Sequence, residues 1–286
     1  MSLQLDERQR AMLLEMGVRV WLPDASDPAA LAVMPEAAET PERQLAQAAL
    51  ARTLPGEARP TAPKPAMTAA PGPASLTALR APRPDAATIA QLDWPTLQSA
   101  VSSCQACALC SSRKNTVFGV GATQARWLVV GEAPGEQEDL QAEPFMGQAG
   151  QLLDNMLKAL GLRRDAQDAQ AVYLTTALKC RPPANRNPLP DEVTQCASYL
   201  HRQVALLQPT VILAMGKIAA QALLQDSVTD LAATPLGKLR GQVHRHQGLP
   251  VVVTYQPAYL LRTPLDKAKA WADLCLARAV AAGTRD

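Results

Sequence analysis

Aromatic residues make up only 3% of this 286-residue chain, with two phenylalanines, four tyrosines and four tryptophans, so a ring-stacking site has few residues to draw on. Histidine is scarcer still, at three. No stretch approaches the ~18 consecutive apolar residues of a membrane span, and charges fall near the N-terminus where a signal peptide needs a hydrophobic run. A cytoplasmic protein, monomeric on its own, is expected. An excess of one charge sign is also missing: 28 Lys+Arg against 26 Asp+Glu leave +2, too balanced to announce nucleic-acid binding by bulk electrostatics. Any such site must come from local placement.

What is present is an apolar content of 48%, enough for one sizeable core plus an appendage. Of the 24 prolines, 13 lie in residues 1–95, concentrated between Pro55 and Pro84 among alanine and threonine. Such a composition buries too little surface to offset ordering entropy, so residues 24–92 are expected to be a disordered Pro/Ala-rich linker. Ahead of it, residues 1–23 hold Met12, Leu13 and Met16 on one helical stripe, Gly17 as a stop, and Val18, Val20 and Trp21 in extended alternation. This segment reads as a peptide for a partner's groove, with Leu13, Met16 and Trp21 as contacts and with Met12 unstructured until it meets that groove. The plainer reading is a helix that folds back on the main domain.

From Trp94 the texture changes. Arg126–Glu132, Ala171–Thr176, Thr210–Met215 and Pro250–Tyr255 are short, continuously apolar, β-branched runs, as in strands buried on both faces. Helical patterns intervene at about 149–161, 190–207, 216–225 and 265–282. The alternation predicts an α/β fold, a mainly parallel sheet with helices on both faces, over residues 93–286. Ligands of such folds bind beyond the carboxyl ends of the strands. The first such loop, Gly131-Glu132-Ala133-Pro134-Gly135, lets backbone amides approach a small planar or anionic ligand and sets Glu132 at a strand tip. Phe145 lies in a loop bounded by glycines and is either a core plug or a ring that stacks on a base.

Six cysteines outside a secretory context read as metal or cofactor ligands before disulfides. Cys104 and Cys107 form C-x2-C, while Cys180 and Cys196 bracket an Arg-Pro-Pro segment. Four such thiolates can enclose zinc or an iron–sulfur cluster, and the spacing leaves both open. Cys107 and Cys110 make a second C-x2-C, and Cys275 falls in a helical pattern as a buried small hydrophobe.

Five motifs in order, Cys104-x2-Cys107 with Leu109, Arg113 and Val117-Phe118-Gly119, then Gly131-Glu132-Ala133-Pro134-Gly135-Glu136, Pro144-Phe145-x-Gly147-x-Ala149-Gly150, Lys179-Cys180-Arg181-Pro182-Pro183 with Asn185-Arg186, and Pro257-Ala258-Tyr259-Leu260-Leu261-Arg262, resemble the family 4 uracil-DNA glycosylases. The resemblance covers about residues 100–280. It implies a three-layer α/β/α sandwich, DNA as partner, and a [4Fe-4S] cluster on Cys104, Cys107, Cys180 and Cys196, with Cys110 an extra. It also implies that a flipped uracil stacks on Phe145 against Gly131 and Ala133, that Glu132 orders water or steadies a cationic sugar, and that Lys179, Arg181, Arg186 and Arg262 face phosphates.

Two positions depart from the family pattern. Thr176 stands where the family usually has Asn, and Gln256 where it has His. An Asn offers a donor and an acceptor to the uracil edge, and a His donates more strongly to an oxygen gaining charge, so weakened excision is expected. Two alternatives follow: a glycosylase of shifted base specificity, or a non-catalytic adaptor. For the latter, Arg10, Leu13, Met16, Gly17, Val18 and Trp21 resemble the leading peptide of the psi subunit of the DNA polymerase III clamp loader, which docks on the chi subunit.

Overall fold

The computed structural model describes Met12, Glu15 and residues 84–283. A six-stranded sheet forms the middle layer, comprising β1 (Val120–Gly121), β2 (Trp127–Gly131), β3 (Val172–Thr176), β4 (Val211–Met215), β5 (Val243–His246) and β6 (Leu249–Thr254). The order is β1-β3-β2-β4-β6-β5. The four central strands run parallel, and β1 and β5 close the edges antiparallel. Every residue of β2, β3 and β4 is buried, as their continuous apolar runs require.

Alternate strand residues feed two cores. Leu128, Val130, Tyr173, Ile212, Ala214, Val251 and Val253 face α5 (Pro190–Leu207) and α6 (Lys217–Leu224) through residues such as Leu200, Val204 and Leu223. On the other face Trp127, Val129, Val172, Leu174, Leu213 and Val252 meet α4 (Gly147–Ala159) and α9 (Lys267–Ala281) through Leu153, Met156, Trp271 and Leu274. Helices α3 (Glu136–Gln141), α7 (Leu236–Leu239) and α8 (Pro257–Arg262) are shorter. This is the expected three-layer arrangement, and among the described residues no helix is long and apolar enough to cross a membrane.

The expected boundary at residue 93 shifts. Residues 86–89 form helix α1 (Ala86–Ile89), whose Asp85 caps the Thr88 amide, and Ile89 is fully buried against Leu97, Phe118 and Tyr199. Helix α2 (Trp94–Ser102), capped by Asp93, completes that small core. A four-residue helix has no period to read, so composition alone placed these residues in the linker.

At the N-terminus, Met12 is helical and buried within the core cluster around Trp127, Leu153 and Met156, contrary to the expectation that it lacks structure without a partner. Leu13, Met16 and Trp21 lie outside the described residues. Cys275, expected to be buried, is exposed on α9.

Candidate active site

The chain leaves β2 and passes to β3 on one side, while β4 pairs on the other, so the strand order reverses beside β2. Beyond the carboxyl ends there lies a cleft of about 700 Å³. It brings together Gly131, Glu132, Ala133, Phe145, Thr176, Arg186, Gln256 and Arg262, residues that come from five segments of the chain.

Glu132 crosses the switch between β2 and β4. Its Oε1 accepts the Ile218 amide at 2.9 Å, at the start of α6. Burial pushes the carboxyl above its ordinary value, and the backbone bonds from Ile218 and Lys217 oppose that rise. The turn that delivers those amides depends on Gly216: its φ is +96°, and a Cβ there would lie 2.5 Å from Glu132 Oε1 and 2.9 Å from Gln256 Cγ. Only glycine leaves room for the carboxylate.

Phe145 presses its ring on the backbone of Gly131, where an added Cβ would sit 2.7 Å from its Cζ. The residue has φ +57°, a conformation that bulky side chains rarely adopt. Two contacts fix it. Its carbonyl receives Arg164 Nη2 at 3.2 Å and lies where a Cβ on Gly150 would be, while Arg164 itself pairs with Asp154. The following amide, Met146, donates to Glu138 Oε1 at 2.9 Å, and Glu138 Oε2 accepts Gly135 at 3.1 Å. Glu138 thus fastens the Gly131–Gly135 loop to the Phe145 loop. The sequence gives no sign of this role, because Glu138 reads there as one acid among several in a first helical turn.

Thr176 is buried and its hydroxyl donates to Leu178 O at 2.6 Å. Its methyl carbon is the atom turned toward Gly131. Gln256 precedes α8 and makes no side-chain hydrogen bond among the described residues, so its carboxamide is available in the cleft.

The four basic residues expected to face phosphates separate. Lys179 is 1% exposed: its ammonium donates to Thr175 Oγ1 at 2.6 Å, Thr176 O at 2.7 Å and Gln203 Oε1 at 2.7 Å, and burial brings its pKa down to about 7. It is a core residue and reaches no phosphate. Arg186 lines the cleft but forks onto Glu192 at 2.6 and 2.9 Å, which neutralises it locally. Arg181 donates to Asn185 at 2.8 Å and faces Glu136 at 3.7 Å. Arg262 is exposed on the cleft and makes no ion pair among the described residues.

Behind the cleft, Cys104, Cys107, Cys110, Cys180 and Cys196 line one narrow hollow with Val101, Arg113 and Tyr199. Burial pushes the Cys180 and Cys196 thiols up to about 11 and about 12. Arg113 donates to Cys180 Sγ at 3.0 Å and to the Cys104 carbonyl at 2.8 Å, and the Lys179 amide donates to Cys196 Sγ at 3.4 Å. Donors aimed at sulfur suit thiolates, which need a cationic group to remain ionised at such depth. Among the described residues, no three Cys, His, Asp or Glu side chains are close enough to share a single ion. A thiolate-rich donor set suits zinc or an iron–sulfur cluster, and Cys110 shares the wall of the hollow.

Fold and cleft define an α/β protein with its ligand site at a strand-order switch, where an aromatic ring and a carboxyl group line one cleft. The uracil-DNA glycosylase superfamily model matches residues 118–275, and the chain belongs to that superfamily. It is 42% identical to the type-4 uracil-DNA glycosylase of Archaeoglobus fulgidus over 57% of this chain and 81% of that protein. It is 39% identical to the type-4 enzyme of Pyrobaculum aerophilum, over 65% and 93% respectively, and 38% identical to that of Thermotoga maritima, over 57% and 80%.

The raised pKa of Glu132 fixes a sign. A carboxyl that holds its proton more tightly in the folded chain contributes stability fully below its unfolded pKa and loses it as pH rises through the folded value. Glu132→Gln keeps an oxygen for the Ile218 amide and removes the charge. It is expected to match or exceed the wild-type melting temperature at pH 8, with no advantage at pH 4. A lower melting temperature at pH 8 in calorimetry would mean that the charge itself holds the α6 turn.

Proposed function

We propose that this protein excises uracil from DNA by hydrolysing the N-glycosidic bond, as a type-4-like enzyme of its superfamily. The observation that carries the reading is that the Phe145 ring, pressed on Gly131, and Glu132, held at the Gly216 turn, line one cleft. Cleaving the bond leaves positive charge on the sugar and negative charge on the departing base. A flipped base stacks on Phe145, Glu132 steadies the sugar cation or orients water with the oxygen not given to Ile218, and Gln256 donates to the base. Arg262 takes a flanking phosphate, with Arg181 and Arg186 contributing less because each is already paired.

The base-reading wall is weak on this account. Thr176 offers a methyl group where an amide would read an edge, so excision is slow or shifted toward another damaged base. Release of uracil from single-stranded and mismatched DNA is expected, falling at least ~100-fold in Glu132→Gln. The pair Thr176→Asn with Gln256→His is expected to raise the rate at least ~10-fold, the worth of one recovered hydrogen bond. A folded double variant with an unchanged rate on uracil would favour shifted specificity.

We also propose a [4Fe-4S] cluster held by Cys104, Cys107, Cys180 and Cys196. In that position it cross-links two distant segments and serves structure rather than bond cleavage. Anaerobically purified protein is expected to be brown with about four irons per chain, the number in one [4Fe-4S] cluster. Iron is expected to be lost in Cys180→Ser and retained in Cys275→Ser. Stoichiometric zinc from iron-replete cells would overturn it.

The N-terminal peptide's resemblance supports a second role, docking on the clamp-loader chi subunit through Leu13, Met16 and Trp21 on a Pro/Ala-rich tether. Purified chi is expected to be retained by the full chain and lost at least ~30-fold in affinity in Trp21→Ala, as for an aromatic anchor. Equal retention would end this reading and leave the glycosylase reading intact.

A further inference from the structure

Met12 and Glu15 are both helical, one turn apart in sequence, and both touch the domain. Met12 is only 8% exposed and belongs to the cluster formed by Trp127 at the start of β2 and by Leu152, Leu153, Met156, Leu157 and Leu160 along α4. Glu15 Oε2 lies 3.3 Å from Lys158 Nζ in the last turn of α4. An apolar anchor and an ion pair at i and i+3 share one side of a helix, so both point at the same surface.

That surface lies at the pole opposite the cleft. The cleft is at the carboxyl end of β2 and the first turn of α4, where Gly131 and Gly147 line it. Trp127 opens β2, and Lys158 is 11 residues beyond Gly147, about 17 Å along the helix at 1.5 Å per residue. A helix seated there leaves the cleft uncovered.

We propose that this pole, the second half of α4 with the start of β2, is a resting seat for the chain's own N-terminal helix. The helix occupies it reversibly and must leave it to present its Met12 face to anything else. Sixty-nine residues lie between Glu15 and Asp85. A chain that long reaches round a domain whose radius of gyration is about 17 Å, and closing it costs little more than closing a shorter one. The tether keeps the helix at an effective concentration of the order of a millimolar or less, so the seat competes continuously with outside partners. Among the described residues the contact holds one buried methionine and one ion pair exposed on both sides, and such an exposed pair contributes little to holding the helix down. The proposal does not depend on what the released helix binds.

Hydrogen exchange on the full chain, read by mass spectrometry over residues 8–18 and over the second half of α4, tests it. In the wild type, amides around Met12 are expected to exchange at least ~10-fold more slowly than an unstructured peptide. Met12→Asp is expected to abolish that protection and also to speed exchange at the end of α4. Lys158→Glu is expected to speed exchange of residues 8–18 by about 2- to 5-fold, the range of an exposed ion pair, and Glu15→Lys in the same chain to restore it. Lys158 lies outside the cleft, so uracil release is expected to stay at the wild-type rate, which separates this test from that of the catalytic reading. Unprotected amides at residues 8–18 in the wild type, or faster exchange in Met12→Asp with no change in α4, would overturn the proposal. So would a Lys158→Glu effect that Glu15→Lys fails to reverse.

Discussion

A carboxylate placed among apolar walls at the tip of a buried strand needs donors close at hand, and the end of the sheet is arranged around that need at Glu132. The donors come from the next parallel strand over, where β4 ends in Gly216 and the first amides of α6 turn back on the carboxyl group. The same glycine clears space for Gln256, which arrives from the end of β6. Three strand ends are therefore fitted around one side chain. The reversal of strand order beside β2 opens the gap, and the carboxylate bridges it.

The ring that presses on Gly131 is held just as firmly, by different means. Phe145 sits at positive φ, a strain that persists only when surrounding groups over-determine it. Arg164 holds its carbonyl, in the space that Gly150 leaves by lacking a side chain, and Glu138 holds the next amide. The placing of the ring is thus a property of the scaffold. That suits a reaction in which the protein contributes position and fixed charge.

The parallel strands were readable because short, continuous β-branched runs suit strands buried on both faces, and the motif order carried the cleft residues with them. The edges were not. In β5 the run Val243-His244-Arg245-His246 is polar and only His246 is buried, so nothing in its composition marks a strand. Lys179 was misread for a different reason: a lysine next to Arg181 and Arg186 reads as surface charge. Its cage is assembled from the Phe118 carbonyl, Thr175 and Gln203, residues scattered along the chain whose convergence no local pattern announces. Arg186 likewise finds Glu192 six residues on, across an irregular turn with no helical spacing to suggest a pair.

That misplaced lysine shows how the sulfur-lined hollow and the cleft are joined. Beyond β3 the backbone is tied to the Gly131–Gly135 loop, with Ala177 N–H on Gly131 O at 2.9 Å and Leu178 N–H on Glu132 O at 3.0 Å. One residue later the Lys179 amide reaches Cys196, its ammonium returns to Thr176 O, and its carbonyl accepts Val117 from the segment that follows the first cysteines. Cys180 then receives Arg113. Residues 176–180 therefore form a strap whose one end positions Gly131 and Glu132 and whose other end carries a thiol. A buried ammonium is costly unless fully hydrogen-bonded, and here that requirement locks the middle of the strap. The Cys180 thiol thus sits on the same short strap, two or three residues from the backbone that is hydrogen-bonded to the cleft.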